Sequence, residues 1–227
     1  MDAPGDGYER NVFVNCPFDS GYYPLLRPLL FTIVFLGFNP KIASERSDSG
    51  EFRLSKISGL IRASRYSIHD LSRLQATSPG EFYRMNMPFE LGIEYGCRLF
   101  GGSPLDEKRC LILEKQPFEY MKALSDLAGI DIKSHGDEPI RLVRQVRNWF
   151  LETVGLRRPA SATVIWHSFT DFMADFYEKR EAEGFHEEDL NVMPVPEFLD
   201  FVREWVNVPG RRTWPEHGEV AGSAEET

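Results

Sequence analysis

Short apolar runs alternate along the chain with segments whose apolar residues recur at helical spacing. The runs are rich in β-branched and aromatic residues, and they predict strands at 11–15, 41–44, 66–71, 109–114 and 129–132. The helical spacing predicts helices over 22–36, 53–63, 87–100, 117–127 and 138–154. This alternation, repeated five times, predicts an α/β fold: a flavodoxin-like, doubly wound, five-stranded parallel sheet with right-handed crossovers.

Prolines bear on the extent of one of these helices, and glycines bear on the packing of another. Pro24 and Pro28 are expected to confine the regular part of the first helix to the residues that follow them. Gly92 and Gly96 lie four residues apart, so they share one face of the helix over 87–100. We expect this bare stripe to let the helix approach the sheet closely.

The pattern changes after residue 155, where the predicted α/β domain (1–155) ends. A linker at 156–159 leads to helices over 163–183 and 196–206, which form a C-terminal helical extension (156–208). Residues 209–227 are rich in proline, glycine and glutamate, and we expect a disordered tail there. The extension carries aromatic residues at helical spacing, which indicate packing onto the sheet domain or a homo-oligomer interface: Trp166, Phe169, Phe172, Phe176 and Tyr177.

Composition narrows the range of functions. The 227 residues are 42% hydrophobic and 27% charged, as in ordinary globular proteins, and the net charge is -9. This acidic balance argues against a broad nucleic-acid surface or binding to an anionic membrane. The apolar run at 25–38 contains Arg27 and Pro28 and is too short to span a bilayer. We expect a cytoplasmic protein, because the first ten residues lack the pattern of a signal peptide.

Two carboxylates at predicted strand and helix ends are the strongest candidates for chemistry. Asp70 ends the third strand, and Glu90 lies in the first turn of the helix that follows, near the edge where parallel sheets bind ligands. The alternatives are ordinary: Glu90 favoured by the helix dipole, and Asp70 as a loop cap. Glu94, one turn later, is expected to face solvent, and His69 is expected to pack in the interior.

No metal site is expected. The three cysteines are widely separated, and no histidine has cysteine or carboxylate partners at a metal-ligand spacing. Cys16 follows the first strand, but no histidine is close to it in sequence, so a nucleophilic thiol is not expected.

Two segments resemble a known superfamily. Residues 12–18, Val-Phe-Val-Asn-Cys-Pro-Phe, resemble the first strand and following loop of nucleoside 2-deoxyribosyltransferases. Residues 88–92, Pro-Phe-Glu-Leu-Gly, are similar to the start of the glutamate-bearing helix of those enzymes. Toll/interleukin-1 receptor (TIR) domains share the architecture, and their NAD-cleaving members also place a glutamate on this helix. The resemblance covers roughly residues 11–132.

The chain departs from both patterns just before this glutamate. Deoxyribosyltransferases usually carry a small alcohol and a glycine where this chain has Asn86 and Met87. Enzymatic TIR domains have a tryptophan–cysteine pair close to the positions of Pro88 and Phe89. Neither subfamily is matched in full, and fold alone does not carry function.

The resemblance implies cleavage or transfer at the N-glycosidic bond of a nucleotide or nucleoside, with NAD favoured as a substrate rather than as a cofactor. It also implies a role in bacterial defence or signalling. Glu90 would stabilise or attack the sugar carbon, and Asp70 would orient the sugar or transfer a proton. The expected substrate-binding residues hold a ribose or base edge, stack on the base or bind a phosphate: Asn15, Phe18, Tyr22, Arg46, Arg73 and Phe89.

Two other functions remain open from the sequence. One is a non-catalytic module of the same fold that senses a nucleotide or binds a protein partner, with Glu90 as a helix cap. The other is a scaffold that self-associates through the C-terminal helices.

Overall fold

The computed structural model describes residues 7–45, 48–74 and 85–211. Within these ranges five strands form one sheet in which every pair is parallel. The strand order is β2-β1-β3-β4-β5, the order of flavodoxin-like sheets, so the predicted fold class is confirmed. The strands are β1 (Asn11–Asn15), β2 (Asn39–Ile42), β3 (Tyr66–Asp70), β4 (Arg109–Glu114) and β5 (Lys133–Ser134).

Seven α-helices lie in the described ranges, and four of them connect or follow the strands. They are α1 (Tyr23–Phe35), α2 (Arg53–Arg62), α3 (Asn86–Phe100), α4 (Pro139–Trp149), α5 (Ala162–Ala182), α6 (Glu187–Asn191) and α7 (Val195–Val206). A wider π-type turn, Phe150–Val154, continues α4. The short helix α6 was not predicted from the sequence.

The helix α1 runs through both of its prolines, so the prediction that they confine its regular part is wrong. Pro24 lies in the first turn, where its missing N–H costs nothing. The carbonyl that Pro28 leaves without an intrahelical donor belongs to Pro24, so the loss falls near the helix end. The hydroxyl of Thr32 donates to the Pro28 carbonyl oxygen at 2.7 Å.

The predicted helix over 117–127 is absent from the structure, which has two short 3-10 turns there, Tyr120–Lys122 and Ser125–Leu127. Phe118 has a φ of 66°, which a helix does not allow. The Glu114 carboxylate accepts hydrogen bonds from the backbone N–H groups of Phe118 and Tyr120, and these bonds hold the irregular path. The last strand consequently pairs at Lys133–Ser134, later than predicted.

Helices cover both faces of the sheet, and this division decides which side chains can meet. On one face Phe13 clusters with Ile57 and Ile61 of α2, and Ile93 of α3 packs against this cluster. On the other face Val12 and Val14 pack against α1 and α4. Successive residues of each strand therefore point to different helix layers.

The helices α5 and α7 form a further layer over α1 rather than standing apart from it. Phe31 of α1 lies against Phe169, Phe172 and Trp205, with ring centroids 5.5–5.9 Å apart. Leu156, in the predicted linker, is fully buried. Most of the aromatic stripe of α5 is thus used in packing within the chain, and one hydrophobic core crosses the predicted domain boundary.

Two expectations fall outside the described residues. These are the phosphate-binding role of Arg46 and most of the disordered tail at 209–227. In the part of the chain that the structure describes, no helix combines the length and apolar character needed to cross a membrane.

Candidate functional site

A cleft of about 340 Å³ lies where the carboxyl end of β1 meets the start of α3. Its size is near the lower end of the ~300–1,000 Å³ that ligand sites usually occupy. Three of the predicted site residues line it, together with five others: Asn15, Phe18 and Glu90, then Cys16, Arg53, Met85, Asn86 and Met87.

Glu90 is the acidic residue of this cleft. It is only 6% exposed although it lies in the first turns of α3, and burial raises the pKa of its carboxyl above the usual value. The Arg53 guanidinium lies 4.0 Å from its Oε1 and opposes that rise. The side chain is therefore a largely desolvated carboxylate. Its ion-pair partner among the described residues, Arg53, is 58% exposed and lies at the mouth of the cleft.

The buried position of Glu94 accounts for the orientation of Glu90 toward the cleft. Glu94 is 3% exposed, so the expectation that it faces solvent is wrong. Its Oε1 lies 3.3 Å from the ammonium group of Lys108, which is itself buried and donates to the carbonyl oxygens of Ile61 and Ser64 at the end of α2. Residues four apart share a helix face, so this buried ion pair fixes the rotation of α3 and points Glu90 inward.

Asn15 joins β1 to the start of α3. Its amide nitrogen donates to the carbonyl oxygen of Met87 at 2.9 Å and lies 3.0 Å from Nδ1 of His69. His69 is fully buried, and desolvation together with the nearby charge of Lys108 lowers its pKa to about 3. The ring is thus neutral with its proton on Nε2, and it packs in the interior as expected.

Asp70 does not join Glu90 in the cleft. Its neighbour His69 faces the α3 layer, so Asp70 points to the opposite face of the sheet, where it accepts a short hydrogen bond from the Tyr22 hydroxyl. His135 Nε2 lies 3.1 Å from Asp70 Oδ2, and the Ser72 N–H donates to the other carboxylate oxygen. Asp70, Tyr22 and His135 are all completely buried.

This buried cluster holds Asp70 as an anion. Burial by itself would raise the pKa of Asp70, but the contacts with His135, Tyr22 and Ser72 outweigh it and lower the pKa below the usual value. The N–H of Asp137 donates to Nδ1 of His135, which leaves the ring proton on Nε2, facing Asp70. The pairing of His135 with Asp70 was not predicted, because 65 residues separate the two and neither belongs to a motif.

Cys16 lines the cleft and is buried. Burial, and then the negative charges of Asp70, Glu90 and Asp19, raise the pKa of its thiol well above the usual value. A neutral thiol is a poor nucleophile, so the electrostatics agree with the sequence-based expectation.

Three other predicted binding residues lie outside the cleft. Tyr22 is bonded to Asp70, Phe89 is 60% exposed on the outer face of α3, and Arg73 is 3.4 Å from Asp19 on the loop after β1. The cation that does line the cleft, Arg53, was missed. Its signal in the sequence was its place as the first residue of α2 after a polar loop.

A larger cavity of about 490 Å³ lies between α5 and α7. Its floor is aromatic, but Asp175, Lys179, Arg180, Glu204 and Arg211 are engaged with partners of opposite charge within the chain. A ligand there would meet few polar groups able to orient it. The smaller cleft is the better candidate, because it contains a buried carboxylate, Glu90, whose ion pair with Arg53 is as long as 4.0 Å.

Among the described residues, no three histidine, cysteine or acidic side chains cluster as metal ligands would. Searches of known protein families, of curated proteins and of solved structures give no significant match for this chain. The residues of the cleft are therefore the basis on which a function can be inferred.

Proposed function

We propose that the cleft beside α3 binds a nucleotide or nucleoside, with NAD favoured, and that the protein cleaves or transfers its N-glycosidic bond. The observation that supports this is the position of Glu90: a desolvated carboxylate in the wall of a ligand-sized cleft at the carboxyl edge of a flavodoxin-like sheet. The resemblance to deoxyribosyltransferases and TIR domains falls on this same residue and supports a role in bacterial defence or signalling.

Glu90 carries the chemistry in this proposal. Departure of the base builds positive charge on the sugar, and a carboxylate fixed beside the anomeric carbon either stabilises that charge or bonds to the carbon. Because Glu90 is only 6% exposed, its carboxylate acts at a lower effective dielectric than it would in solution. Water or an acceptor nucleoside base then completes hydrolysis or transfer.

The other cleft residues have roles in binding. Phe18 is partly buried and offers an aromatic face to the base. Both amide hydrogens of Asn15 are used within the protein, so its Oδ1 is the atom that accepts from a sugar hydroxyl or a base N–H. Arg53 at the mouth of the cleft is the group suited to a phosphate.

The size of the cleft matches a nucleoside-sized part of a ligand. In a dinucleotide such as NAD, the reacting ribose and its base would occupy the cleft, and the second nucleotide would extend past Arg53. Asp70 would then act as a framework residue that holds the ends of β3 and β5 through Tyr22 and His135, without contact to the substrate.

One observation favours a second function, a non-catalytic nucleotide sensor. Asp70 is engaged in its own buried cluster, so the described cleft contains a single carboxylate and no second acid to protonate the departing base.

The same observation limits the substrates of the proposed enzyme. Nicotinamide leaves without protonation, because it departs from a pyridinium, whereas adenine and most other bases need a proton. The proposal therefore predicts turnover of NAD and binding without turnover for ordinary nucleosides.

Mass spectrometry of reaction mixtures tests the proposal. The purified protein is incubated separately with NAD, nucleotides and nucleosides, and free bases and sugars are quantified. We expect release of nicotinamide that falls by at least about 100-fold in a Glu90→Gln variant, as for loss of a group that acts in the transition state. Glu181→Gln on the exposed face of α5 is the matched control and should keep full activity.

The results separate the two functions. Calorimetric binding of NAD without release of nicotinamide would favour the sensor. Turnover that survives in Glu90→Gln would remove the catalytic assignment of this residue.

A further inference from the structure

The helix α3 has an inverted distribution of polar and apolar residues. Both of its acidic residues, Glu90 and Glu94, are buried, whereas three of its large apolar side chains are exposed: Phe89 by 60%, Leu99 by 69% and Phe100 by 84%. A surface helix normally does the reverse. Phe89, Gly92, Gly96, Leu99 and Phe100 fall within an arc of roughly 100°, since each residue advances the helix by about 100°.

The two glycines of this face are not explained by packing within the chain. A Cβ added at Gly92 or Gly96 would meet no atom within 4 Å, so the prediction that they bring α3 close to the sheet is wrong. A helix is less stable with glycine than with alanine at an interior position, so helix propensity does not favour glycine at these two positions. Bare positions in the middle of an exposed apolar face allow another helix to approach closely.

The face is also self-complementary. From Phe89 to Leu99 its members are spaced by three, four and three residues, so the spacing reads the same in both directions. In an antiparallel crossing centred at position 94, Phe89 of one copy meets Leu99 of the other, and Gly92 meets Gly96. A twofold dimer requires this kind of surface, because one patch must fit itself.

The available area is sufficient for such a contact. Aromatic side chains bury ~150–250 Å² each, so the exposed parts of Phe89, Leu99 and Phe100 supply on the order of 400 Å² per copy. With the glycine backbone and flanking residues, two copies reach the ~1,000 Å² expected of a specific interface. Arg98 is the one charged residue among the exposed positions of α3, and it lies on the side of the helix opposite Phe89, about 100° beyond the edge of this face.

We propose that the protein forms a twofold dimer through the outer face of α3, defined by Phe89, Gly92, Gly96, Leu99 and Phe100, with the two helices antiparallel. This contact is distinct from the C-terminal helices, whose aromatic residues mostly pack against α1 within the chain. It is also independent of the chemistry assigned to the cleft.

Sedimentation equilibrium over a concentration series tests the interface. The unmodified protein should give the mass of two chains, and Gly96→Glu should give one chain with unchanged circular dichroism, since the new side chain points into open space. Ala174→Glu, at an exposed small residue of α5, is the control and should remain dimeric. If Gly96→Glu folds poorly, Leu99→Lys serves in its place.

A charge exchange tests the antiparallel arrangement. Phe89→Glu and Leu99→Lys should each weaken the dimer at least tenfold, and the double variant should recover affinity, because each glutamate then meets a lysine of the other copy. Within one helix the two positions are ten residues apart, about 15 Å, so they do not pair internally. A monomer at every concentration, a dimer that persists in Gly96→Glu, or a double variant no tighter than the weaker single variant would each overturn the proposal.

Discussion

Replacing Lys108 by methionine removes one half of the buried ion pair that sets the rotation of α3. Methionine keeps the unbranched apolar shape of the lysine stem, so the change removes a charge with little change in volume. Glu94 is then left 3% exposed without its cation, and the carbonyl oxygens of Ile61 and Ser64 lose a donor.

The burial of both partners sets the magnitude. Removing one member of a buried pair costs ~3–5 kcal/mol, whereas removing one member of an exposed pair costs ~0–1 kcal/mol. For a chain of this size, each kcal/mol lowers the melting temperature by about 2–4 °C, so we expect a fall of roughly 6–20 °C for Lys108→Met. The double variant with Glu94→Gln should recover part of the loss, because no buried charge is then left unpaired.

Urea unfolding of the four proteins in this cycle measures the effect, provided that the slope with denaturant is unchanged. The pKa of Glu94 is already raised by burial, with Lys108 opposing the rise, so Lys108→Met should raise it further. A raised carboxyl pKa lowers stability above the unfolded value of ~4.3, and that deficit shrinks as the pH falls through the folded-state pKa. A loss below 1 kcal/mol that does not vary with pH would refute the buried pair.

Three further changes probe the cleft and its supports. Glu90→Gln should raise the melting temperature at neutral pH, because it removes a desolvated charge. Differential scanning fluorimetry should show that this gain in melting temperature shrinks as the pH falls, since Glu90 of the unmodified protein is then protonated. Tyr22→Phe should lower the unfolding free energy by about 1.5–3 kcal/mol, since it removes a hydrogen bond to the buried carboxylate of Asp70. The pKa of Asp70 is lowered in the folded protein, so urea titrations should show the full loss above the unfolded-state pKa of this carboxyl and a smaller loss at more acidic pH. Asn15→Ala should cost about 1–3 kcal/mol and speed hydrogen exchange at the start of α3, where the Met87 carbonyl loses its donor.

The central strands were predictable because their sequences allow few alternatives. The strands β1 and β4 have the predicted bounds, since each is a short apolar run with a buried centre. The edge strand β5 could not be predicted from local hydrophobic periodicity. It is the polar pair Lys133–Ser134, and its place is set by pairing with Leu113 and Glu114 of β4. No local periodicity reports such a partner.

The site was predictable only in part for the same reason. Glu90 could be found from its position at a helix start after a strand. The burial of Glu94 depends on Lys108, and the engagement of Asp70 depends on His135, and both partners come from distant loops. The alternation of β3 placed His69 and Asp70 on opposite faces, but the sequence did not show which of those faces α3 would cover.

A crystal structure of the Glu90→Gln variant with bound NAD tests the central claim most directly. We expect the reacting ribose to lie in the cleft, with its anomeric carbon about 3–3.5 Å from the amide side chain that replaces the carboxylate at position 90. Its base should lie against Phe18, and its phosphates should lie near Arg53. A nucleotide bound between α5 and α7, or in the cleft with its sugar turned away from position 90, would contradict the account.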